Sequence, residues 1–370
     1  MRILADYRPA LRERTGVGEY LHHLVATYAK AHAGEVTLFS SSWKDRPRPG
    51  LAAELGVEVV DRRIPVQVLN LLWHRAGWPP VESLAGDFDV VHAFHPLLIP
   101  ARRAAQVVTI HDLFFLNHPE STSAEIRRDY PRLASHHARC ADAIITPSHH
   151  VKRLVSERLD VPADRIYVCS PGAPSWRTLG HAPNVPLDGY LLFVGTLEPR
   201  KNLGALLDAY TVLLRMRTNV PKLVIAGRST PEAARWLAQI AAPPLAGHVE
   251  LLGYVAESER ERLFAGARAL ILPSLDEGFG LPVLEAMSAG VPVVVSNRGA
   301  LPEVVGTGGM IVDPAQPDDI AAALVPLIDD ADVAMRWAAA GLERARAFNW
   351  DAAAATLRRA YTEAVARHAA

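Results

Sequence analysis

The stretch Ala269–Ser296 reads ALILPSLDEGFGLPVLEAMSAGVPVVVS, and its pattern decides the fold class. The apolar runs ALILP and PVVV are typical of strands that are buried on both faces, whereas LPVLEAMSAG between them predicts a helix. The loop after the first strand nevertheless holds Glu277, and the helix holds Glu285. Two acidic residues in a segment that is otherwise buried call for a functional explanation.

The same alternation of strand and helix patterns extends along the whole chain. Strand patterns in the first half are RILA, VTLF, VEVV, DVVH, VVTI, AIIT and IYVC, and those in the second half are YLLFV, KLVIA, HVELL, ALILP, PVVV and MIV. Helical periodicity fills most of the gaps between these runs. This order predicts the α/β class, with two doubly wound, Rossmann-like domains in succession.

The boundary between the two domains is a proline- and glycine-rich stretch without periodicity, PSWRTLGHAPNVPLDG. We predict an N-terminal domain over residues 1–172, a linker over residues 173–188 and a C-terminal domain over residues 189–348. Residues 349–370 follow as one amphipathic helix, which begins with an Asn cap at Asn349.

Composition excludes several classes of function. At 370 residues the chain is too long for one ordinary core, and its formal net charge of −1 argues against a nucleic-acid partner. Its two cysteines, Cys140 and Cys169, cannot form a framework of disulfides, which favours the cytoplasm.

The N-terminus lacks the apolar region of a signal peptide, and no run of apolar residues is long enough to span a membrane. The nearest approach is IPVQVLNLLW at Ile64–Trp73, which is flanked by arginines. We predict a buried connecting helix there. A loop that contacts the inner face of the membrane is the alternative, because aromatic and basic residues anchor such segments.

Ligands of open parallel sheets bind at the carboxyl ends of the strands, so residues that follow a strand are the candidates for function. The stretch GTLEPRKN follows YLLFV and precedes a helix. Gly195 allows the turn, and Arg200 and Lys201 are predicted near the first turn of the helix. Two cations there suit a pyrophosphate, one as a bidentate fork and one as a point charge. A solvated basic turn is the alternative.

The loop Ser274–Gly280 follows ALILP in the same way. Its GFG sequence permits close approach of the backbone to a ligand, and the amide groups at the start of the next helix favour an anion or a sugar hydroxyl. Glu277 lies in the loop and Glu285 lies two turns along from Gly278, about 10 Å at helical rise, which suits two separate clusters of hydroxyl groups. The alternatives are a capping role for Glu277 and a buried ion pair for Glu285.

Two further candidates lie in the first half of the chain. In TGVGEY, Gly16 and Gly18 would let the backbone approach a ligand, although Leu21 occupies the position where a dinucleotide fingerprint needs its third glycine. In HDLFF, His111 and Asp112 follow the strand VVTI directly, which favours a functional histidine over a structural one.

Metal binding is not predicted. The Asp-x-Asp motifs at Asp87–Asp89 and Asp330–Asp332 do not follow strands, and the adjacent histidine pairs have side chains that point apart on a helix. The chain also lacks the ligand spacing of a zinc site.

Together these motifs resemble the retaining glycosyltransferases of family 4, which have the GT-B fold with two domains that face a central cleft. The resemblance covers almost the whole chain through TGVGEY, HDLFFLNHPE, AIITPSHHVKRL, GTLEPRKN, GYV at Gly253–Val255 and PSLDEGFGLPVLEAMSAGVPVVVSN. GTLEPRKN with HDLFF is most similar to bacterial mannosyltransferases that build O-antigen and related polysaccharides. The resemblance also implies that the last helix crosses back to the N-terminal domain.

The resemblance assigns the residues to roles. Arg200 and Lys201 would bind the donor pyrophosphate, Glu277 the donor sugar, and Glu285 the ribose. His111 would lie near the transferred sugar. The remaining donor-binding residues would be Gly16 and Gly18 beside the diphosphate, Gly195 at its turn, Gly227, Arg228, Tyr254 and Val255 around the base, and Gly278, Phe279, Gly280 and Leu281 against sugar and phosphate.

The function that follows is the retaining transfer of a hexose from a nucleotide sugar to a saccharide or lipid-linked acceptor, with mannose from GDP-mannose as the expected donor. The nucleotide sugar is a substrate, so no cofactor is expected. Two alternatives are an epimerase or phosphorylase on the same fold, and a non-catalytic module that binds sugar nucleotides. The sequence does not define an oligomeric state.

Overall fold

The computed structural model describes residues 1–11, 14, 16–117 and 124–370. The chain forms two compact units, of which the first contains Met1–Gly172 with Asn349–Ala370 and the second contains Ala173–Phe348. Each unit is built around a parallel sheet with helices packed on it, so the predicted α/β class is confirmed.

The sheet of the first unit has, within the described residues, seven strands in the order β3-β2-β1-β4-β5-β6-β7. All neighbouring strands are parallel. The central strands are buried along their whole length, because a parallel sheet is covered on both faces. The strands are Ile3–Asp6 (β1), Val36–Ser40 (β2), Glu58–Asp61 (β3), Val90–Ala93 (β4), Ala105–Thr109 (β5), Ala143–Thr146 (β6) and Ile166–Val168 (β7).

Helices connect these strands. The helices of the first unit are Gly16–Ala31 (α1), Leu51–Leu55 (α2), Val66–Ala76 (α3), Glu82–Ala85 (α4), Phe114–Asn117 (α5), Ala124–Cys140 (α6) and His149–Leu159 (α7). Arg8–Ala10 and Ala163–Arg165 form short 3-10 turns.

The second unit has a parallel sheet in the order β10-β9-β8-β11-β12-β13 among the residues that the structure describes. Its strands are Tyr190–Val194 (β8), Leu223–Ala226 (β9), Val249–Gly253 (β10), Ala267–Leu272 (β11), Val293–Ser296 (β12) and Met310–Val312 (β13). Its helices are Leu203–Met216 (α8), Ala234–Ile240 (α9), Glu257–Ala265 (α10), Leu281–Ser288 (α11), Leu301–Val305 (α12), Pro317–Asp329 (α13) and Ala331–Ala345 (α14). Strand β11 and helix α11 are the elements that ALILP and LPVLEAMSAG predict.

The last helix, Trp350–His368 (α15), belongs to the first unit. Its predicted cap is confirmed, since the Asn349 side chain accepts a hydrogen bond of 2.7 Å from the amide of Asp351. Tyr361 on α15 lies 2.7 Å from Nδ1 of the buried His92, whose Nε2 lies 2.8 Å from the Thr109 hydroxyl. Burial lowers the pKa of His92 to about 3, so this polar link between α15 and the sheet is neutral.

The segment 173–188 contains neither helix nor strand among its residues, all of which are described, and it packs on the second unit. The Glu261 carboxylate accepts hydrogen bonds from the amide and hydroxyl groups of Thr178, and the Asn184 amide donates to the carbonyl of Gly290 over 2.7 Å. The expected linker is therefore attached along its length to one unit.

The apolar segment Ile64–Trp73 forms most of α3. Leu69 and Trp73, four residues apart, are buried, whereas Val68 and Leu71 on the other side are 48% and 54% exposed. The prediction of a buried helix is thus right for one face only. In the described part of the chain, no helix combines the length and apolar character that a membrane span needs.

Candidate active site

Four neighbouring strands of the second sheet, β10, β9, β8 and β11, end at the predicted donor-binding segments. Two of these ends are in close contact. The amide of Gly195 donates to the carbonyl of Ala226 over 2.9 Å, and a Cβ atom on Gly227 would lie 1.8 Å from the Gly195 carbonyl oxygen. Gly227 is therefore required for the packing of one strand end on the next, a reason that the sequence did not reveal.

The two predicted cations lie in the 3-10 turn Pro199–Lys201, which precedes α8. The turn lies directly before the first turn of that helix, and Asn202, in a left-handed conformation with φ 55°, separates the two. The Asn202 side-chain amide donates to the carbonyls of Pro273 and Pro314 over 3.1 and 2.9 Å. These hydrogen bonds attach the turn to the exits of β11 and β13.

Glu277 is buried, with 5% of its surface exposed, and its carboxylate accepts three hydrogen bonds. Lys201 Nζ and Ser274 Oγ donate to Oε1 over 2.5 and 2.7 Å, and Arg200 Nη1 donates to Oε2 over 3.2 Å. The backbone of Glu277 is held as well, since its carbonyl accepts from the amide of Ala300 over 2.8 Å. These contacts fix the orientation of the carboxylate.

The charge of Glu277 follows from these contacts. Burial raises its pKa, but the positive charges of Lys201 and Arg200 and the hydrogen bonds from Lys201 and Ser274 outweigh burial and lower the pKa overall. The side chain is therefore an ionised acceptor at neutral pH. The suggested capping role is not what the side chain does, because its partners are side chains of the β8 and β11 exits.

Glu285 lies on α11 and pairs with Arg260 of α10, with 2.6 Å between Oε1 and Nη1. Both side chains are largely buried. The ion pair that the sequence left open as an alternative for Glu285 is therefore present. Sequence reasoning did not identify Arg260, because α10 carries no motif and its charged residues resemble those of any solvated helix.

The GFG sequence between the two glutamates has a structural role. Gly280 caps α11 with φ 101°, and a Cβ atom there would lie 2.6 Å from Leu301 Cδ2. Phe279 is buried and packs edge-to-face on Phe348, with 5.5 Å between ring centroids. Gly278 and Leu281 stand on either side, and Leu281 is the first residue of the helix. The backbone contacts predicted for these residues stay a prediction.

The predicted base-binding residues lie at the exits of β9 and β10. The Arg228 guanidinium is placed over the Tyr254 ring, 4.9 Å from its centroid, and Val255 follows half-buried. The attraction between a cation and an aromatic face holds Arg228 over this ring, and Arg228 itself is exposed to solvent.

Gly16, Gly18 and His111 belong to the first unit. Gly16 is exposed at the start of α1, whereas Gly18 is buried and a Cβ atom on it would lie 3.1 Å from the Pro9 carbonyl oxygen. The missing side chain of Gly18 thus serves the packing of α1 on the turn Arg8–Ala10. Thr15 of TGVGEY, and residues 118–120 of HDLFFLNHPE, lie outside the described residues.

His111 lies just beyond β5, where its Nε2 is 3.3 Å from the carbonyl oxygen of Phe94. This carbonyl can only accept, so Nε2 carries the proton of the neutral ring. Burial lowers the pKa of His111 to about 4, against the opposing effects of Asp112 and the Phe94 carbonyl. Asp112 accepts the amide of Phe114 over 3.1 Å, so it caps α5 and does not hold the ring.

The Asp-x-Asp motifs have local partners. Asp89 accepts the amide of Arg2 over 2.7 Å, and Asp330 caps α14 by accepting the amides of Asp332 and Val333. These contacts do not test the expectation that the site binds no metal ion, which stays a prediction.

Two family models match the chain. The one described as "Glycosyltransferase Family 4" matches residues 14–175, and the one described as "Glycosyl transferases group 1" matches residues 184–344. O-antigen chain mannosyltransferase B of Escherichia coli is 32% identical over 377 residues, which cover 95% of this chain and 97% of that relative. A D-inositol 3-phosphate glycosyltransferase of Corynebacterium glutamicum (strain R) is 30% identical over 249 residues, or 61% of this chain and 58% of the relative.

Solved structures with the same fold include sucrose-phosphate synthase from Thermosynechococcus elongatus, with a TM-score of 0.77 and 18% identity over 98% of both chains. HepE of Anabaena in complex with UDP-glucose gives a TM-score of 0.73 and 19% identity, over 97% of this chain and 99% of that one. The fold and the family models define the class of the protein, which is a glycosyltransferase with the GT-B fold. The chain belongs to glycosyltransferase family 4.

The contacts of Glu277 generate a prediction about stability. We expect Glu277→Gln to lower the free energy of unfolding by about 3 kcal/mol, because it leaves the buried Lys201 without its counter-charge. Urea denaturation measures the change. Adding Lys201→Met to this variant removes the uncompensated charge and should restore part of the loss.

The matched control is Glu343→Gln, which removes the same charge from an exposed pair with Arg346. It should change the free energy of unfolding by less than about 0.5 kcal/mol. Equal losses in Glu277→Gln and Glu343→Gln would contradict the role of the buried pair.

Proposed function

We propose that the protein is a retaining mannosyltransferase that moves mannose from GDP-mannose to a saccharide or lipid-linked saccharide. The observation that carries the proposal is the buried, ionised Glu277, which is held by Lys201 and Arg200 where β8 and β11 end. The choice of mannose is supported by the relative named O-antigen chain mannosyltransferase B, which matches along almost the whole chain.

In this proposal the diphosphate of the donor binds beside Arg200 and Lys201, with the amides that begin α11 as further donors. Oε1 of Glu277 already accepts two hydrogen bonds and Oε2 accepts one. A carboxylate oxygen has room for about two donors, so Oε2 is the atom that accepts a hydroxyl of the donor sugar. Glu285 would hold the ribose, and Arg228, Tyr254 and Val255 would surround the base.

The proposed reaction proceeds on one face of the sugar. The bond between the anomeric carbon and the diphosphate oxygen breaks, the acceptor oxygen bonds to the same face of that carbon, and the acceptor proton moves to the departing diphosphate. The positive charges of Arg200 and Lys201 assist departure of the diphosphate. Their stabilising effect grows as negative charge develops on the leaving oxygen. A covalent sugar–enzyme intermediate is not part of the proposal, since both oxygens of Glu277 are engaged by cations.

The donor is tested directly. We expect GDP-mannose to raise the melting temperature of the protein at concentrations above its dissociation constant, because a ligand of the native state stabilises it by mass action. UDP-glucose and UDP-galactose should have a smaller effect at equal concentration. With an acceptor glycan present, the product should retain the anomeric configuration of the donor by NMR. Stabilisation by a UDP-sugar alone, or an inverted product, would contradict the proposal.

We also propose that the reaction needs no metal ion, because cationic side chains and helix amides supply the positive charge for the diphosphate. Turnover of GDP-mannose should stay within about twofold when EDTA is added, since removing a metal that takes no part in the reaction leaves the barrier unchanged. Initial rates before and after dialysis against EDTA measure this. A loss of turnover in EDTA that Mg²⁺ or Mn²⁺ reverses would contradict the proposal and would make the Asp-x-Asp motifs candidates for metal ligands.

Contact with the inner face of the membrane, in the cytoplasm, is proposed for the exposed side of α3. Val68 and Leu71 are exposed there, Arg75 lies one turn further on the same side, and Trp78 follows the helix with 58% exposure. Apolar, basic and tryptophan side chains on one surface suit the boundary between lipid headgroups and acyl chains.

Sedimentation with vesicles of phosphatidylglycerol and phosphatidylcholine tests this contact. We expect Leu71→Asp to lower the bound fraction by more than half, because it places a negative charge on the apolar face. Met216→Asp is the matched control, since Met216 is 68% exposed in the second unit. If the unaltered protein and Leu71→Asp bind vesicles equally, the proposed contact between α3 and the membrane is wrong.

A further inference from the structure

Arg200 lies between two carboxylates. Its Nε and Nη2 donate to Oε1 of Glu198 over 3.1 and 2.9 Å, and its Nη1 donates to Oε2 of Glu277 over 3.2 Å. Nη1 also donates to the carbonyl of Asp276 over 3.2 Å. The two nitrogens that donate hydrogen bonds to Glu198 form one edge of the guanidinium. Such an edge can bind two oxygens of one phosphate at the same time.

The two carboxylates differ in how firmly they are held. The side chain of Glu277 is 6% exposed and has Lys201 and Ser274 as further partners, whereas the side chain of Glu198 is 30% exposed. Water can replace Arg200 as the partner of Glu198 at low cost, but not as the partner of Glu277. An anion that approaches Arg200 would therefore displace Glu198.

The charges lead to the same conclusion. Glu198 and Glu277 together carry two negative charges, and Arg200 and Lys201 carry two positive charges, so the four side chains are neutral as a group. A diphosphate adds at least two negative charges. It binds favourably beside Arg200 only when one carboxylate moves away, because like charges at hydrogen-bonding distance repel strongly.

We propose that Glu198 competes with the donor diphosphate for Arg200, occupying the guanidinium edge when the site is empty and returning to it when the product leaves. This inference rests on the proposed function, in which Arg200 and Lys201 bind the diphosphate. Glu198 then sets how tightly donor and product bind, and its return to Arg200 assists release of the nucleoside diphosphate.

The test is Glu198→Gln, which keeps the size of the side chain and an oxygen that can accept from Arg200 but removes the charge. Isothermal titration calorimetry measures the affinities for inorganic pyrophosphate, GDP and guanosine at low ionic strength. We expect pyrophosphate and GDP to bind about three- to tenfold more tightly to the variant. The affinity for guanosine, which lacks phosphate, should not change.

Two further variants make the result specific. Glu198→Ala should tighten pyrophosphate binding as well, while Glu343→Gln, with the same change in net charge at an exposed pair, should leave it unchanged. In turnover assays, Glu198→Gln should show stronger inhibition by GDP and a lower kcat where product release limits the rate. Thermal unfolding of each variant establishes that it is folded.

Weaker binding of pyrophosphate by Glu198→Gln would show that Glu198 orients Arg200 for the phosphate and would overturn the inference, and so would unchanged binding. If the protein transfers mannose but Glu198→Gln binds pyrophosphate no more tightly, the inference fails while the proposed function stands. If the unaltered protein binds neither pyrophosphate nor any of GDP, UDP and GDP-mannose, both fail.

Discussion

The buried ion pair between Lys201 and Glu277 is the interaction on which the candidate site depends. It joins the turn after β8 to the loop after β11, and these strands are neighbours in the second sheet. Either charge alone would be costly in this position, because a buried ion without a partner loses its hydration. The pair therefore requires both segments to be in place, and the hydrogen bond from Ser274 then orients the carboxylate. Arg200 and Glu198 extend this arrangement toward solvent.

Much of the fold could be predicted from the sequence, because local patterns of apolar residues indicate the strands and helices. Each strand of the two sheets corresponds to an apolar run such as RILA or YLLFV, and the end of each run marks the edge where ligands of parallel sheets bind. The partners of the two glutamates could not be predicted in this way. Arg260 pairs with Glu285 across 25 positions of sequence and Lys201 pairs with Glu277 across 76, and no short-range periodicity records such distances.

The predicted glycines also have packing reasons that the sequence did not reveal. The sequence predicts that Gly18 and Gly280 let backbone approach a ligand, and the family resemblance implies that Gly227 lies beside the base. In the structure a Cβ atom at each position would meet another part of the protein: the turn before α1 at Gly18, the end of β8 at Gly227, and the side chain of Leu301 at Gly280. A glycine required by packing and a glycine required by a ligand look the same in the sequence. Only the three-dimensional contacts distinguish the two reasons.

The position of α15 has a consequence for how the chain folds as it is synthesised. The second unit is continuous in sequence, from Ala173 to Phe348, whereas the first unit also needs residues 349–370. The face of the first sheet that receives Tyr361 and Leu357 is therefore covered only in part, by α1, until residues 349–370 have been synthesised. The first unit is begun before the second and completed after it, and during that interval the apolar surface that α15 will cover is exposed to chaperones and to aggregation.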